Sequence, residues 1–121
     1  MAYRQSIGRL GEDLACAYLQ RQGWQILTRN WRCARGEVDI IAREGECLVF
    51  VEVKTRRGHG AEYPEDGMTA AKRRRLAELA GYYLAELEGP LMDWRIDLVA
   101  IELDPATGQS RCSLYRAVGA G

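Results

Sequence analysis

The sequence has a single histidine, His59, and four cysteines (Cys16, Cys33, Cys47, Cys112) with no C-x-x-C spacing. It therefore holds no ready zinc set, and the cysteines read as isolated reduced thiols acting as small hydrophobes. Apolar runs are short, as at Leu48 to Val51, far below the ~20 residues of a membrane-spanning helix. Residues 1–10 carry Arg4 and Arg9 without an apolar stretch, so no secretory signal is expected and the protein is expected in the cytoplasm. Repeats, low-complexity tracts and linkers are missing too. A net charge is also lacking, with 17 basic against 17 acidic residues, which removes any global argument for a polyanionic partner. What is present, 121 residues of which 47% are hydrophobic, suits one small domain over residues 1–121.

Charge is uneven along the chain. Residues 1–60 hold 10 Lys/Arg against 7 Asp/Glu and residues 61–121 hold 7 against 10. Fifteen of the 17 basic residues are arginine, the side chain suited to bidentate phosphate contacts, although genomic base composition produces the same excess.

Residues 6–22 read as a first helix, because Ile7, Leu10, Leu14, Ala15, Ala17, Tyr18 and Leu19 share one side at ~100° per residue. Gly23 ends it. Glu12 lies about 20° beyond Leu19, at the border of the stripe, so its carboxylate should be half inside. Strands follow at 24–32, 38–42 and 48–55, the last rich in β-branched residues, with a turn at Arg43-Glu44-Gly45-Glu46. The glycine-rich stretch after Arg57, which includes His59, reads as a loop and the natural place for a lid. There His59 has no triad partner and reads as a loop residue rather than a general base. A second helix is expected over 69–88, with Leu76, Ala80, Tyr83, Leu84 and Leu87 on one stripe and close packing at Gly81. Strands at 94–103 and 113–118 complete the order αβββαββ, an α/β sheet with helices packed on it.

Alternation places Glu37, Asp39 and Ile41 on one face of the second strand, and Leu48, Phe50, Glu52 and Lys54 on one face of the third. A tight turn at Glu44-Gly45 pairs 41 with 48, 39 with 50 and 37 with 52. Asp39 and Glu52 then become diagonal neighbours about 7 Å apart at the backbone, close enough to share one divalent ion. A hard cation on Asp39, Glu52 and a backbone carbonyl would neutralise these acids, and Lys54 would position or deprotonate a water or stabilise charge on a phosphate. The alternative is a set of cross-strand ion pairs on a wet face.

Three blocks carry a resemblance: Gly11-Glu12 with Ala15 and Tyr18-Leu19, then Gly36-Glu37-Val38-Asp39-Ile40-Ile41-Ala42, then Val49-Phe50-Val51-Glu52-Val53-Lys54-Thr55-Arg56. Together they resemble the YraN-like bacterial proteins, which are assigned to the PD-(D/E)xK superfamily of restriction endonuclease-like and Holliday junction resolvase-like folds. The resemblance implies that Asp39 and Glu52 are metal ligands for Mg²⁺ or Mn²⁺, Lys54 the lysine of the E-x-K, and Glu12 the helix-borne acid that completes the catalytic set. It departs from the pattern at Val38, where a proline would precede the aspartate.

Basic residues should ring such a site. Lys72 and Arg73 fall on the core-facing stripe near the second helix's N-terminus, where the helix dipole disfavours cations and an anionic ligand would explain them. Arg74 and Arg75 read equally well as a solvated basic turn. Arg56 and Arg57 follow the third strand and are phosphate candidates. Arg29, Arg32 and Arg35 with Trp31 suit backbone contact plus stacking, although Trp31 also fits a core position. Asp97 is either a further ligand or a local partner of an arginine. The expected activity is metal-dependent hydrolysis of phosphodiester bonds, with DNA, including branched DNA, as the substrate by family analogy. A non-catalytic nucleic-acid-binding module and an acidic protein-docking face are the other two readings, and a homodimer is compatible with either nucleic-acid reading.

Overall fold

The computed structural model describes residues 2–58, 68–90 and 92–119, with side chains from residue 7 to residue 118 of these. The elements are α1 (Ala2–Arg21), β1 (Gln25–Cys33), β2 (Gly36–Glu44), β3 (Cys47–Arg57), α2 (Ala70–Glu86), β4 (Asp93–Leu103) and β5 (Ser110–Gly119). They follow the expected αβββαββ order. The stretch 59–67, with His59 and the expected lid, lies outside the described residues. No helix among the described residues is long and apolar enough to cross a membrane.

The five strands form one sheet in the order β1-β2-β3-β4-β5. Every pairing is antiparallel except β3–β4, which is parallel. A parallel neighbour requires a crossover, and α2 supplies it. The two helices take opposite faces. Ala15, Cys16 and Leu19 of α1 pack on Ile40, Ala42, Val49, Val51, Val99 and Ile101. Leu76, Leu79 and Ala80 of α2 pack on Ile41, Leu48, Phe50, Ile96 and Leu98. Strands apolar on both faces are what a sheet covered on both sides demands. On the α2 side, Phe50 meets Tyr83 and Trp94 edge to face at 5.7 and 5.9 Å, and Tyr83 meets Trp31 at 5.5 Å. Trp31 is thus a packing residue rather than a stacking platform for bases.

Three expectations are corrected. Leu10 and Leu87 are 45% and 42% exposed, while Gly11 and Cys16 take the inner positions on α1. Gly81 has open space around it, with nothing within 4 Å of a Cβ built there. The β2–β3 turn is Gly45-Glu46, so Glu44 pairs with Cys47, Arg43 with Leu48 and Ile41 with Phe50. Gly45 has φ of 58°, the left-handed conformation that glycine adopts without steric cost and a tight hairpin turn requires. The register differs from the expected one by two residues, which preserves the faces of the flanking strands.

At the hairpin end of the sheet, Glu44 accepts from Arg95 Nη2 at 2.5 Å and from Arg116 Nη1 and Nη2 at 2.6 and 3.1 Å. Both guanidiniums also lie over the buried Trp24 ring, at 5.3 and 5.6 Å. Asp97, fully buried, accepts from Arg95 Nε and from the Ala117 amide. It is therefore a structural anchor for β5, paired with an arginine as one of the two expectations held. Hydrogen bonds from Arg116, and then those from Arg95, hold the Glu44 carboxyl down at about 2. A carboxylate with a lowered folded pKa stabilises the fold above its ordinary value, and that contribution disappears as pH falls through the folded value. Thermal unfolding should accordingly show stability lost between pH ~4.5 and ~2, and Glu44→Gln should flatten that part of the profile; an unchanged slope would exclude the clamp as its source.

Gly11 brings α1 down onto β3. A Cβ there would stand 1.9 Å from Thr55 Oγ1 and 3.0 Å from Thr55 Cβ. Gly11→Ala should cost about 1–3 kcal/mol by overpacking, measured by chemical denaturation. Thr55→Ala in the same chain removes the two outer atoms and should restore part of the loss, whereas additive losses would show that the two residues do not press on each other.

Candidate functional site

Regular alternation along β2 breaks at Asp39. Val38 packs in the α2-side core and Ile40, two residues on, in the α1-side core. The neighbouring strand deviates at the same level: Arg29 pairs with Ile40 and Trp31 with Val38, and between them Asn30 has φ of 52°. Asparagine is depleted in regular strands and tolerates this conformation. The paired β2–β3 ladder meanwhile stops at Ile40–Val51. Beyond it, the Asp39 side chain substitutes for the missing backbone acceptor, with Oδ2 taking the Val53 amide hydrogen at 2.8 Å.

Asp39 is thus fixed by the backbone of β3 and lies in the gap between two strands. Its carboxyl is pushed up to about 7, first by burial and next by the charge of Glu52, with smaller contributions from Glu12 and Glu37. The Val53 hydrogen bond opposes the rise without cancelling it. The charges of Glu52, Glu12 and Glu37 therefore all reach Asp39 at this gap, which is how far the structure brings the expected acids together. The expected diagonal relation of Asp39 to Glu52 does not hold. In the observed register, extension of the ladder sets the two directly opposite, at the point where the strands part.

The remaining candidates arrive from both sides. Glu52 has a side chain 13% exposed and pairs with Lys72 of α2. Lys54 follows Glu52 by two residues, on the α2 side of β3 together with Leu48 and Phe50. Glu12 comes from α1, 20% exposed as its border position suggested, and accepts from Asn30 Nδ2 at 3.0 Å, with Arg29 Nη2 at 3.6 Å. Arg29 itself binds Asp13 at 2.7 Å. Sequence reasoning missed Asn30 as the holder of Glu12; its only signal was a strand-averse residue inside Arg29-Asn30-Trp31.

Of the basic candidates, Arg32 is paired across the strands with Glu37 at 2.8 Å. Arg73 donates to the Met68 carbonyl at 3.0 Å, within the first turn of α2. Arg74 and Arg75 are exposed. Arg56 lies on the same strand as Glu52 and Lys54, and Arg57 ends that strand and lines an apolar hollow with Ile7, Leu10, Leu103 and Pro105.

The donors at the gap are carboxylates only, which suits a hard cation such as Mg²⁺ or Mn²⁺ and not zinc. Among the described residues, no three His, Cys, Asp or Glu side chains converge on a single coordination point. Asp39 and Glu52 are the two carboxylates that could serve such an ion, which commonly takes one or two carboxylates and water.

The architecture and the acid cluster define a mixed five-stranded α/β domain with a carboxylate site at a split between neighbouring strands. Residues 11–101 match the uncharacterised protein family UPF0102, the YraN-like group, and the chain belongs to that family. A UPF0102 protein of Arthrobacter sp. (strain FB24) is 42% identical over 119 residues, 98% of this chain and 100% of the relative. One from Rhodococcus opacus (strain B4) is 50% identical over 101 residues, 84% of this chain and 86% of the relative. Another, from Syntrophotalea carbinolica, is 49% identical over 98 residues, 81% and 80% of the two chains.

A half-buried carboxyl raised from 3.8 to about 7 makes the folded state bind a proton that the unfolded chain has already released. The contribution of Asp39 to stability is then fully present below pH ~4, is lost as pH rises through ~7 and is level above. Asp39→Asn keeps an acceptor for the Val53 amide and removes the charge. In EDTA at pH 8 the variant should be more stable than the wild type by on the order of 1 kcal/mol or more, with the difference closing below pH ~4. Equal or lower melting temperature at pH 8 would show that the acids do not strain the fold.

Proposed function

We propose that this protein is a metal-dependent nuclease of the PD-(D/E)xK class, with a restriction endonuclease-like, resolvase-like fold. The observation that carries the reading is Asp39: a half-buried carboxylate at a break between strands, held by the Val53 amide and left amid the charges of Glu52, Glu12 and Glu37. A fold gains nothing by leaving a half-buried carboxylate without a cationic partner beside three other acids, whereas a cation site requires it. The same cluster lies one residue pair from Lys54, completing Asp39 and Glu52-Val53-Lys54 in a single neighbourhood.

Asp39 and Glu52 would hold Mg²⁺ or Mn²⁺, which when bound supplies positive charge to the phosphate oxygens. Lys54 presents an ammonium on the Glu52 side, suited to orient the attacking water and to balance charge that develops on the phosphate. In the reaction the water oxygen bonds to phosphorus in line with the departing oxygen, and that P–O bond breaks. Glu12, fixed by Asn30, lies on the opposite flank of Asp39 and is the carboxylate available to assist proton removal from the water. Arg56, Arg57, Lys72, Arg73 and Arg32 are the side chains assigned to the nucleic-acid backbone, whose phosphates dominate affinity. Branched DNA is the substrate class that the superfamily suggests.

A second reading, a nucleic-acid-binding module without cleavage, is favoured by one observation: Glu52 carries an ion pair with Lys72, which satisfies one ligand without any metal. Cleavage of single-stranded, duplex, flap and four-way-junction DNA and of structured RNA, each in Mg²⁺, Mn²⁺ and EDTA, separates the two. Metal-dependent product from the wild type, reduced at least ~100-fold in Asp39→Asn and Lys54→Ala, is the expected result. Salt-sensitive binding with no product, unaffected by Lys54→Ala, would replace the nuclease with the binding module.

A further inference from the structure

The chain has 17 basic residues of which only Lys54 and Lys72 are lysine, and both stand at Glu52. Lys54 follows it by two residues on the same face of β3, and Lys72 reaches it from α2 to form an ion pair. The Lys72 contact is long-range and built in. Thr69 caps α2 by accepting the Lys72 amide hydrogen at 3.1 Å, and Arg73 fastens the same turn to the Met68 carbonyl. The backbone of Lys72 is therefore set, while its side chain, 38% exposed against 13% for Glu52, keeps a route to solvent.

From this arrangement, and resting on the metal-site reading above, we infer that Lys72 is an exchangeable counter-ion: its ammonium holds Glu52 when no divalent cation is present and is displaced when one binds. An ammonium is a compact point charge on a flexible stem and makes no bidentate fork, so it leaves a carboxylate more readily than arginine would. Two cations near one carboxylate repel each other, and the divalent one has the larger charge. Once released, Lys72 lies beside Arg73 on the exposed first turn of α2, available to a phosphate of a bound nucleic acid. Cation binding and polyanion binding are thereby coupled through one side chain, and the coupling is reciprocal. Lys72 is thus a positioning residue for the site.

The test is Mn²⁺ binding to metal-free protein by calorimetry, comparing the wild type with Lys72→Met and Lys72→Arg, the fold of each variant being checked by circular dichroism. Removal of the competing charge should tighten Mn²⁺ binding about tenfold in Lys72→Met, with Lys72→Arg no tighter than the wild type. Binding seen in Lys72→Met but not in the wild type is the extreme form of the same result. If the wild type binds Mn²⁺ and Lys72→Met binds it equally or more weakly, the counter-ion role is overturned while the metal site stands. If neither protein binds Mn²⁺, both are overturned.

Discussion

The structure depends on one substitution of a side chain for a backbone group. Where β2 departs from β3, the Val53 amide would lack a partner on β2, and Asp39 Oδ2 accepts its hydrogen instead. An unpaired buried amide is costly, so the break in the ladder and the aspartate require each other. From the break follow the reversal of facing between Val38 and Ile40, the left-handed Asn30 on the adjoining strand and the placement of Glu12 by that asparagine. The same break lets charges from both sides of the sheet reach Asp39, Glu12 from α1 and Glu52 on the α2 side of β3.

Two acid groups in this molecule illustrate how compensation separates structure from chemistry. Glu44 and Asp97 lie within reach of Arg95, Arg116 and backbone amides, and the Glu44 carboxyl is held well below its ordinary range. Their contribution is to bind β2, β4 and β5 over Trp24, and it is complete without any ligand. Asp39 is surrounded by other acids, and its carboxyl moves the opposite way. Burial alone is common to both ends of the sheet; the sign of the neighbouring charge is not.

The order of elements, both layers of core and the list of acids were legible in the sequence because each rests on local periodicity: period two in β3, the helical stripe through Leu14, Ala15 and Leu19, and glycines that stop or turn the chain. The hairpin register was not, because Glu44-Gly45 and Gly45-Glu46 turns leave the same residues on the same faces and alternation cannot choose between them. Nor was the fate of Leu10 and Gly11, since a hydropathy wheel ranks leucine inside and cannot see Thr55 waiting at the helix backbone. The Glu52–Lys72 pair joins residues 20 positions apart through a parallel crossover, a relation set only by how α2 docks. For Trp31 the sequence leaves a stacking and a core position open, and packing against Tyr83 favours the second.

These differences bear on how the site is balanced. The two-residue change in register moves Glu52 from a diagonal to an opposed position relative to Asp39, bringing like charges together just where the strands cease to pair. Lys72 offsets part of that charge from the α2 layer, and Arg29 with Asn30 occupies Glu12 on the α1 layer. Among the described residues Asp39 has no cationic partner, and its side chain bonds a backbone amide. Neighbours that offset the acids on either side of the sheet, and leave the central one without a cationic partner among the described residues, concentrate the unmet electrostatic demand at a single carboxylate. A small cation can meet such a demand in a gap between strands, because it needs only carboxylate oxygens and water around it.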